Sequence, residues 1–248
     1  MTAPTVVTDR DDFRATARGT PDGARVPVEV RVRVSDPFDA YRRSRRGSGG
    51  FFYETTGDQP GWGAFGVEPV ERLTVGPDAV SRDDTAPTLA ALEALVDDET
   101  LVRGECDVPY PCGLFGWLSY DVARELESLP EHTLDDRRLP HLQLGAFDLV
   151  ASWDEPRTEG DTELRITCCP RVSEDADLRE VYDDARERAT ALAHDAVEGT
   201  PVPTEAPVDS HEAQFESDCG REAFADRVRA AKQYIRDGDT FQANLSQR

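Results

Sequence analysis

Strict alternation of apolar and polar or charged residues at positions 26–34 (VPVEVRVRV) is the strongest structural constraint in this sequence. Successive side chains of a β-strand point to opposite faces, so the pattern predicts a strand with one valine face and one Glu/Arg face. The apolar run at residues 144–153 predicts a buried strand, and residues 162–169 predict a strand that pairs back on it. The chain must therefore bury one face of a sheet.

Helical patterns lie between and after these strands. Residues 88–96, 177–194 and 224–235 carry apolar side chains at three- and four-residue spacing, and Asp36 with Pro37 predicts the cap and first turn of a shorter helix. Gly238 is suited to the left-handed conformation that ends a helix. Residues 241–246 alternate again and predict a strand, which pairs either with an upstream strand or with chain that would follow Arg248. This mixture predicts an α+β fold of mainly antiparallel sheets packed with helices.

The charge balance limits the possible partners. The formal net charge is −22, the acidic residues are spread along the chain, and Lys232 is the single lysine. Dispersed acid with almost no lysine indicates a protein adapted to a salt-rich cytoplasm, where salt screens self-repulsion; an ordinary acidic enzyme is the alternative. The surface argues against nucleic acid, whose phosphates need basic patches. A small anionic substrate needs only a local positive pocket and stays possible.

The sequence contains no sign of export, a membrane span or a metal centre. It has no apolar run near the ~20 residues of a membrane helix and no signal-peptide pattern at its start, so we expect a cytoplasmic protein. Five cysteines, including the adjacent Cys168 and Cys169, indicate reduced, buried thiols rather than a disulfide framework. The four histidines have no metal-ligand spacing.

Composition also suggests a domain boundary. We predict a domain at residues 1–197, a Pro-, Thr- and Glu-rich linker at 198–217, and the beginning of a second domain at 218–248. The only basic cluster, RRSRR at residues 42–46, is either a solvated helix end or a contact for a phosphate or a partner.

Two segments resemble a known family. Residues 234–248 (YIRDGDTFQANLSQR) resemble the segment that opens the chorismate-binding domain of anthranilate synthase component I and aminodeoxychorismate synthase component I. Residues 110–121 (YPCGLFGWLSYD) resemble the Gly-Gly-x-x-Gly-x-x-x-Tyr-Asp strand of its front domain, with Cys112 in place of the first glycine. The resemblance implies the N-terminal domain of the chorismate-aminating synthase fold, truncated at the start of the chorismate-binding domain, in a full protein about twice this length.

A further pair of motifs implies a binding site. Residues 52–55 (FYET) resemble the family's Leu-Leu-Glu-Ser, and residues 61–69 (GWGAFGVEP) resemble its Arg-Tyr-Ser-Phe-Ile-Gly-x-Asp-Pro, which together hold the feedback inhibitor tryptophan. The resemblance implies a tryptophan-type pocket built from Glu54, Thr55, Trp62 and Phe65. The alternative is that Glu54 and Thr55 are ordinary residues at the end of a strand.

The implied reaction is amination of chorismate, with ammonia supplied from glutamine by a separate glutamine amidotransferase subunit, component II. The family's Mg²⁺ ligands and catalytic residues would lie beyond Arg248, so we expect no catalytic or metal-binding residue in this chain and no activity from it alone. Because the inhibitor motif departs from the family pattern, we predict component I of aminodeoxychorismate synthase, in folate biosynthesis. The alternatives are anthranilate synthase component I, in tryptophan biosynthesis, and a non-catalytic amino-acid-binding domain.

Overall fold

The computed structural model of the protein describes residues 3–47, 49–57, 59–78, 87–130, 137–202, 216–217 and 219–246. The chain divides into two compact units, residues 1–202 and residues 203–248. The first unit contains helices and antiparallel sheets, which confirms the predicted α+β class. In the described part of the chain, no helix combines the length and apolar character needed to cross a bilayer.

Eleven strands are present among the described residues: β1 (Thr5–Val6), β2 (Ala24–Arg25), β3 (Val28–Val34), β4 (Phe51–Tyr53), β5 (Gly61–Gly66), β6 (Glu71–Val75), β7 (Gly113–Leu118), β8 (Leu142–Phe147), β9 (Leu149–Glu155), β10 (Thr162–Cys168) and β11 (Arg171–Val172). The helices of the same ranges are α1 (Arg10–Ala17), α2 (Pro37–Ser44), α3 (Pro87–Asp97), a 3₁₀ helix (Tyr120–Glu125), α4 (Leu178–Glu198) and α5 (Gly220–Asp237).

A six-stranded antiparallel sheet in the order β1-β3-β10-β9-β5-β4 forms the centre of the first unit. The valines of β3 are buried, and Val30 and Val32 lie opposite Ile166 and Leu164 of β10. This confirms the alternating strand. Strands β9 and β10 also pair antiparallel, with Ile166 opposite Ala151, which confirms the hairpin predicted for residues 162–169. The remaining strands form a β11-β2 pair and a three-stranded sheet in the order β6-β8-β7.

The other face of β3 buries a carboxylate. Glu29 is 3 % exposed and accepts hydrogen bonds from Arg165 at 2.8 and 2.9 Å and from Arg31 at 2.7 Å. A buried carboxylate is tolerated only when it is paired in this way. The pairing raises the pKa of the Arg165 guanidinium, chiefly through its hydrogen bond with Glu29.

Helices α1, α2 and α4 cover the valine face of the sheet. The face of α4 that packs inward is rich in alanine, which lets the helix approach the sheet closely. Asp36 caps α2 by accepting a hydrogen bond from the Asp39 N–H at 2.9 Å, as predicted from the sequence. The basic cluster at residues 42–46 meets the end of α4, where Arg43 donates to the Val197 carbonyl and Arg46 pairs with Asp195. Cations are favoured at that end of a helix.

The apolar run at residues 144–153 is not the single strand that its composition predicts. It is divided between β8, in the three-stranded sheet, and β9, in the six-stranded sheet. Asp148 lies between them, is 5 % exposed, and accepts hydrogen bonds from both terminal nitrogens of Arg188 on α4 at 2.9 and 2.7 Å. The charged residue thus fixes the point where the chain passes from one sheet to the other.

The second unit contains α5, none of whose residues is buried. The helix ends at Gly238 with φ of 84°, the left-handed stop that the sequence predicts. Residues 241–246 form no strand, so that prediction is wrong: a strand requires hydrogen bonds to a neighbour, and no described residue pairs with this segment. Most of the predicted linker at 198–217 lies outside the described residues.

Candidate functional site: an aromatic cavity between two sheets

An open cavity of about 660 Å³ lies between β4–β5 of the large sheet and β7 of the three-stranded sheet. We call it the aromatic cavity, because aromatic side chains are prominent in its walls. Its lining residues are Phe51, Phe52, Tyr53, Thr55, Gly61, Trp62, Ala64, Tyr110, Cys112, Gly113, Leu114, Phe115, Gly116 and Trp117. The volume falls in the range of small-molecule sites.

The alternation of β5 decides which side chains reach this cavity. Trp62 and Ala64 face it, whereas Gly63 and Phe65 face the hydrophobic core. Gly63 lies directly opposite Trp153 on β9, and a Cβ at this position would be 2.0 Å from the indole ring. Only glycine therefore lets β5 pass over the buried tryptophan.

A group of three phenylalanines joins the two sheets beside the cavity. Phe51 of β4 stacks on Phe115 of β7 with ring centroids 3.7 Å apart and an interplanar angle of 10°. Phe147, at the end of β8, meets Phe51 edge-on at 4.8 Å. The edge-on Phe51–Phe147 geometry is typical of favourable aromatic pairs, and Phe51 and Phe115 give the cavity an apolar floor.

Polar groups are few and lie toward the opening. The Thr55 hydroxyl donates to the Trp62 carbonyl at 3.1 Å and keeps its lone pairs for a ligand donor. Tyr53 and Tyr110 are 60 % and 64 % exposed. None of the described lining residues carries a carboxylate, imidazole or guanidinium group, so the cavity is suited to binding a flat apolar group.

The structure brings together two of the four residues predicted for a tryptophan-type pocket. Thr55 and Trp62 line the cavity, whereas Phe65 is fully buried and packs between Tyr41 and Trp153 at centroid distances of 5.7 and 6.3 Å. Glu54 is exposed and lies outside the lining.

The electrostatic influence of Glu54 extends toward Arg157. The pKa of Arg157 is raised mainly by its hydrogen bond with Asp36, with a smaller contribution from the charge of Glu54. Glu54 therefore supplies negative charge beside the β4–β5 turn, where Thr55 also lies.

The sequence did not identify the wall contributed by β7. Tyr110, Phe115 and Trp117 line the cavity together with Trp62, and sequence reasoning assigned none of the three to the site. The sequence signal that could have indicated this wall is Gly116, a glycine within a strand that lies between Phe115 and Trp117. A Cβ on Gly116 would be 2.0 Å from the Gln143 carbonyl of β8, so close strand contact keeps this position glycine.

A smaller cavity of about 220 Å³ also borders Cys112, and its lining includes Arg25 and Glu99. Arg25 is 8 % exposed and donates to both carboxylate oxygens of Glu99, at 2.6 and 2.9 Å. The pKa of Glu99 is lowered, first by its hydrogen bond with Arg25. This pair is satisfied internally and joins the segment after α3 to β2.

The described residues offer no metal site: they contain no group of three or more His, Cys, Asp and Glu side chains placed to hold an ion.

Comparison with known proteins identifies the family. Residues 49–248 match the family model described as "chorismate binding enzyme". The chain is 52 % identical to anthranilate synthase component 1 3 of Haloarcula marismortui over 100 % of this chain and 49 % of that protein. It is 55 % identical to anthranilate synthase component 1 1 of the same organism, over 98 % of this chain and 48 % of that protein.

A weaker match is aminodeoxychorismate synthase component 1 of Escherichia coli, 25 % identical over 57 % of this chain and 26 % of that protein. The chain spans about half the length of the curated Haloarcula relatives it matches. The family resemblance predicted from residues 110–121 and 234–248 is confirmed, and this chain belongs to the chorismate binding enzyme family.

Proposed function

We propose that this chain is the amino-acid-binding part of an anthranilate synthase component 1, and that the aromatic cavity binds tryptophan as a regulatory ligand. The observation that carries the proposal is the cavity itself: an aromatic slot with a threonine hydroxyl and a carboxylate-bearing turn beside it. A free amino acid with a flat side chain matches this distribution, because its ring fills the slot and its charged groups remain near water.

The choice of anthranilate synthase replaces our prediction of aminodeoxychorismate synthase. It is supported by two relatives above 50 % identity across nearly the whole chain, both named anthranilate synthase component 1. The residues that depart from the family's inhibitor motif include Tyr53, Gly61, Trp62 and Ala64, and all four line the cavity. Trp62 and the aromatic residues of β7 keep the cavity apolar.

For the complete protein, we propose amination of chorismate followed by loss of pyruvate. Ammonia would come from a glutamine amidotransferase subunit, component II, and Mg²⁺ would be held by residues outside the described part of this chain. The described part contributes binding and regulation to that scheme. Its strongly acidic composition is consistent with function in concentrated salt, which we propose as the working condition.

The proposal is tested by calorimetric titration of the 248-residue chain with tryptophan in molar potassium chloride. We expect saturable binding of one tryptophan per chain, and weaker binding of alanine, which cannot fill the slot. Trp62→Ala should reduce the affinity by at least about tenfold, because it removes a large apolar contact worth more than ~1.4 kcal/mol.

Two acidic variants separate local from general charge effects. Glu54→Ala should weaken binding, because it removes the carboxylate next to Thr55, whereas Glu187→Ala, which removes an exposed acid on α4, should not. No heat of binding in a chain shown by circular dichroism to be folded would contradict the regulatory role. Equal effects of the two acidic variants would show that Glu54 is not part of the site.

A further inference from the structure

Cys112 and Cys169 form a contact between two distant parts of the chain. Cys112 directly precedes β7, and Cys169 directly follows β10. The Cys169 thiol donates to the Pro111 carbonyl at 3.4 Å, and the Thr167 hydroxyl donates to the same oxygen at 2.6 Å. These bonds hold the residue before Cys112 against the end of β10, which places the two cysteines beside each other.

The two thiols differ in accessibility. Cys169 is fully buried, whereas Cys112 lines both the aromatic cavity and the smaller cavity beside Arg25. A small reagent that enters either cavity therefore meets Cys112 first. Cys169 lies behind it and is shielded from solvent.

The electrostatic surroundings also differ. The pKa of the Cys112 thiol is lowered, first by its interaction with the Cys169 side chain and also by the positive charge of Arg25. Burial raises the pKa of the Cys169 thiol well above its usual value. The thiolate is the reactive form of cysteine. We therefore assign Cys112 as the nucleophile of the pair and Cys169 as the resolving thiol.

The neighbouring cysteines do not share these properties. Cys168 lies on the opposite face of β10 within the hydrophobic core, and burial raises its pKa to about 12. The pKa of Cys106 is also raised, again mainly by burial. Within the described first unit, only Cys112 combines access, a lowered pKa and a second thiol held beside it through the Pro111 carbonyl.

We propose that Cys112 and Cys169 are a reversible thiol–disulfide pair that responds to peroxides. The Cys112 thiolate attacks one peroxide oxygen: an S–O bond forms, the O–O bond breaks, and hydroxide leaves and takes up a proton as water. The Cys169 sulfur then attacks the sulfenic sulfur of Cys112, the S–O bond breaks, and a second water leaves with the Cys169 proton. Two thiols lose two electrons in total, and one hydrogen peroxide is reduced to two waters.

The disulfide would join the start of β7 to the end of β10. Cys112 and Gly113 line both cavities. The disulfide would therefore fix the position of the first residue of β7 in the wall of the aromatic cavity. An external dithiol would reduce this disulfide by thiol–disulfide exchange and regenerate both free thiols. This inference does not depend on the identity of the ligand or on the catalytic activity of the complete protein.

The test is peroxide oxidation of the folded 248-residue chain, followed by thiol counting and peptide mapping without reduction. We expect the number of free thiols to fall from five to three per chain, with one cross-linked peptide pair that contains Cys112 and Cys169. Dithiothreitol should restore all five. Loss of thiols at Cys106 or Cys219 while Cys112 stays free would overturn the proposal, as would a different pairing.

Variants give an independent readout. Cys169→Ala should leave Cys112 as a sulfenic acid that dimedone labels, because no second thiol resolves it. Cys112→Ala should lose no thiols to peroxide under conditions that oxidise the parent chain, and Cys106→Ala, the matched control, should still form the disulfide. If the buried Cys169→Ala variant does not fold, the peptide map of the parent chain still decides the question. Equal dimedone labelling of Cys106 and Cys112 would refute the assignment of Cys112 as the nucleophile.

Discussion

Gly63→Ala tests directly whether β5, which forms one wall of the aromatic cavity, requires glycine where it contacts Trp153. The new Cβ would lie 2.0 Å from Cε2 and Cζ2 of Trp153 and 2.5 Å from its Nε1. Ordinary contact needs about 3.5–4.0 Å, so the ring or the strand must move by roughly 1.5 Å. Trp153 is fully buried beside Phe52 and Phe65, which leaves no space for that movement.

The magnitude follows from three contributions. Overpacking a filled core costs about 1–3 kcal/mol. A displaced indole also loses its 2.6 Å hydrogen bond to the Glu155 carboxylate, worth about 1.5–3 kcal/mol. Replacing a strand glycine by alanine recovers about 0.5–1 kcal/mol of chain entropy. We therefore expect the free energy of unfolding to fall by about 3 kcal/mol.

Urea unfolding in molar potassium chloride, followed by circular dichroism, measures this loss. Gly76→Ala is the matched control, because no atom lies within 4 Å of the position that its new Cβ would occupy, and its stability should change by less than about 1 kcal/mol. Trp153→Leu removes the clashing ring atoms, so it should make Gly63→Ala less costly in the double variant. The reasoning is refuted if Gly63→Ala is as stable as Gly76→Ala.

Three further perturbations address the electrostatics of the first unit. Asp148→Asn should cost about 2 kcal/mol in the same urea assay, because it leaves a half-buried Arg188 without its charge partner; Asp183→Asn, in an exposed pair, should cost less. The pKa of Glu99 is lowered, so its contribution to stability is present above its unfolded pKa of about 4.3 and is lost as the pH falls below that value. Glu99→Gln should flatten this part of the curve of unfolding free energy against pH, and an unchanged curve would contradict the pairing with Arg25. Raising potassium chloride toward molar concentration should raise the melting temperature, because salt screens the repulsion of a chain with net charge −22; a melting temperature independent of salt would contradict adaptation to salt.

Local patterns in the sequence were sufficient to predict most helices and strands. The valine alternation of β3, the Asp36 cap of α2 and the Gly238 stop of α5 all depend on neighbouring residues, and all three are observed. The division of residues 144–153 was not predictable in this way. It depends on the ion pair of Asp148 with Arg188, a residue 40 positions away on α4.

The candidate site shows the same difference between local patterns, which the sequence encodes, and long-range contacts, which it does not. Resemblance assigned Thr55 and Trp62 to one pocket, and both line the aromatic cavity, because Trp62 lies on β5 and Thr55 lies in the segment between β4 and β5. Phe65 was assigned from its motif position, yet strand alternation turns its side chain to the opposite face. The wall containing Phe115 and Trp117 comes from a strand of the other sheet, and this packing is a long-range property that spacing does not encode.

The aromatic cavity connects binding to the stability of the whole first unit. One wall belongs to the six-stranded sheet and the other to the three-stranded sheet, and the phenylalanine stack and the crossing at Asp148 hold these walls together. A ligand that contacts both walls must stabilise their arrangement, by about 2.7 kcal/mol at a concentration 100 times its dissociation constant. Gly63→Ala displaces the β5 wall from its core side, whereas Asp148→Asn removes the ion pair at the point where the chain passes between the sheets. Both changes should therefore weaken binding without touching the ligand, and saturating ligand should restore part of the stability that each removes.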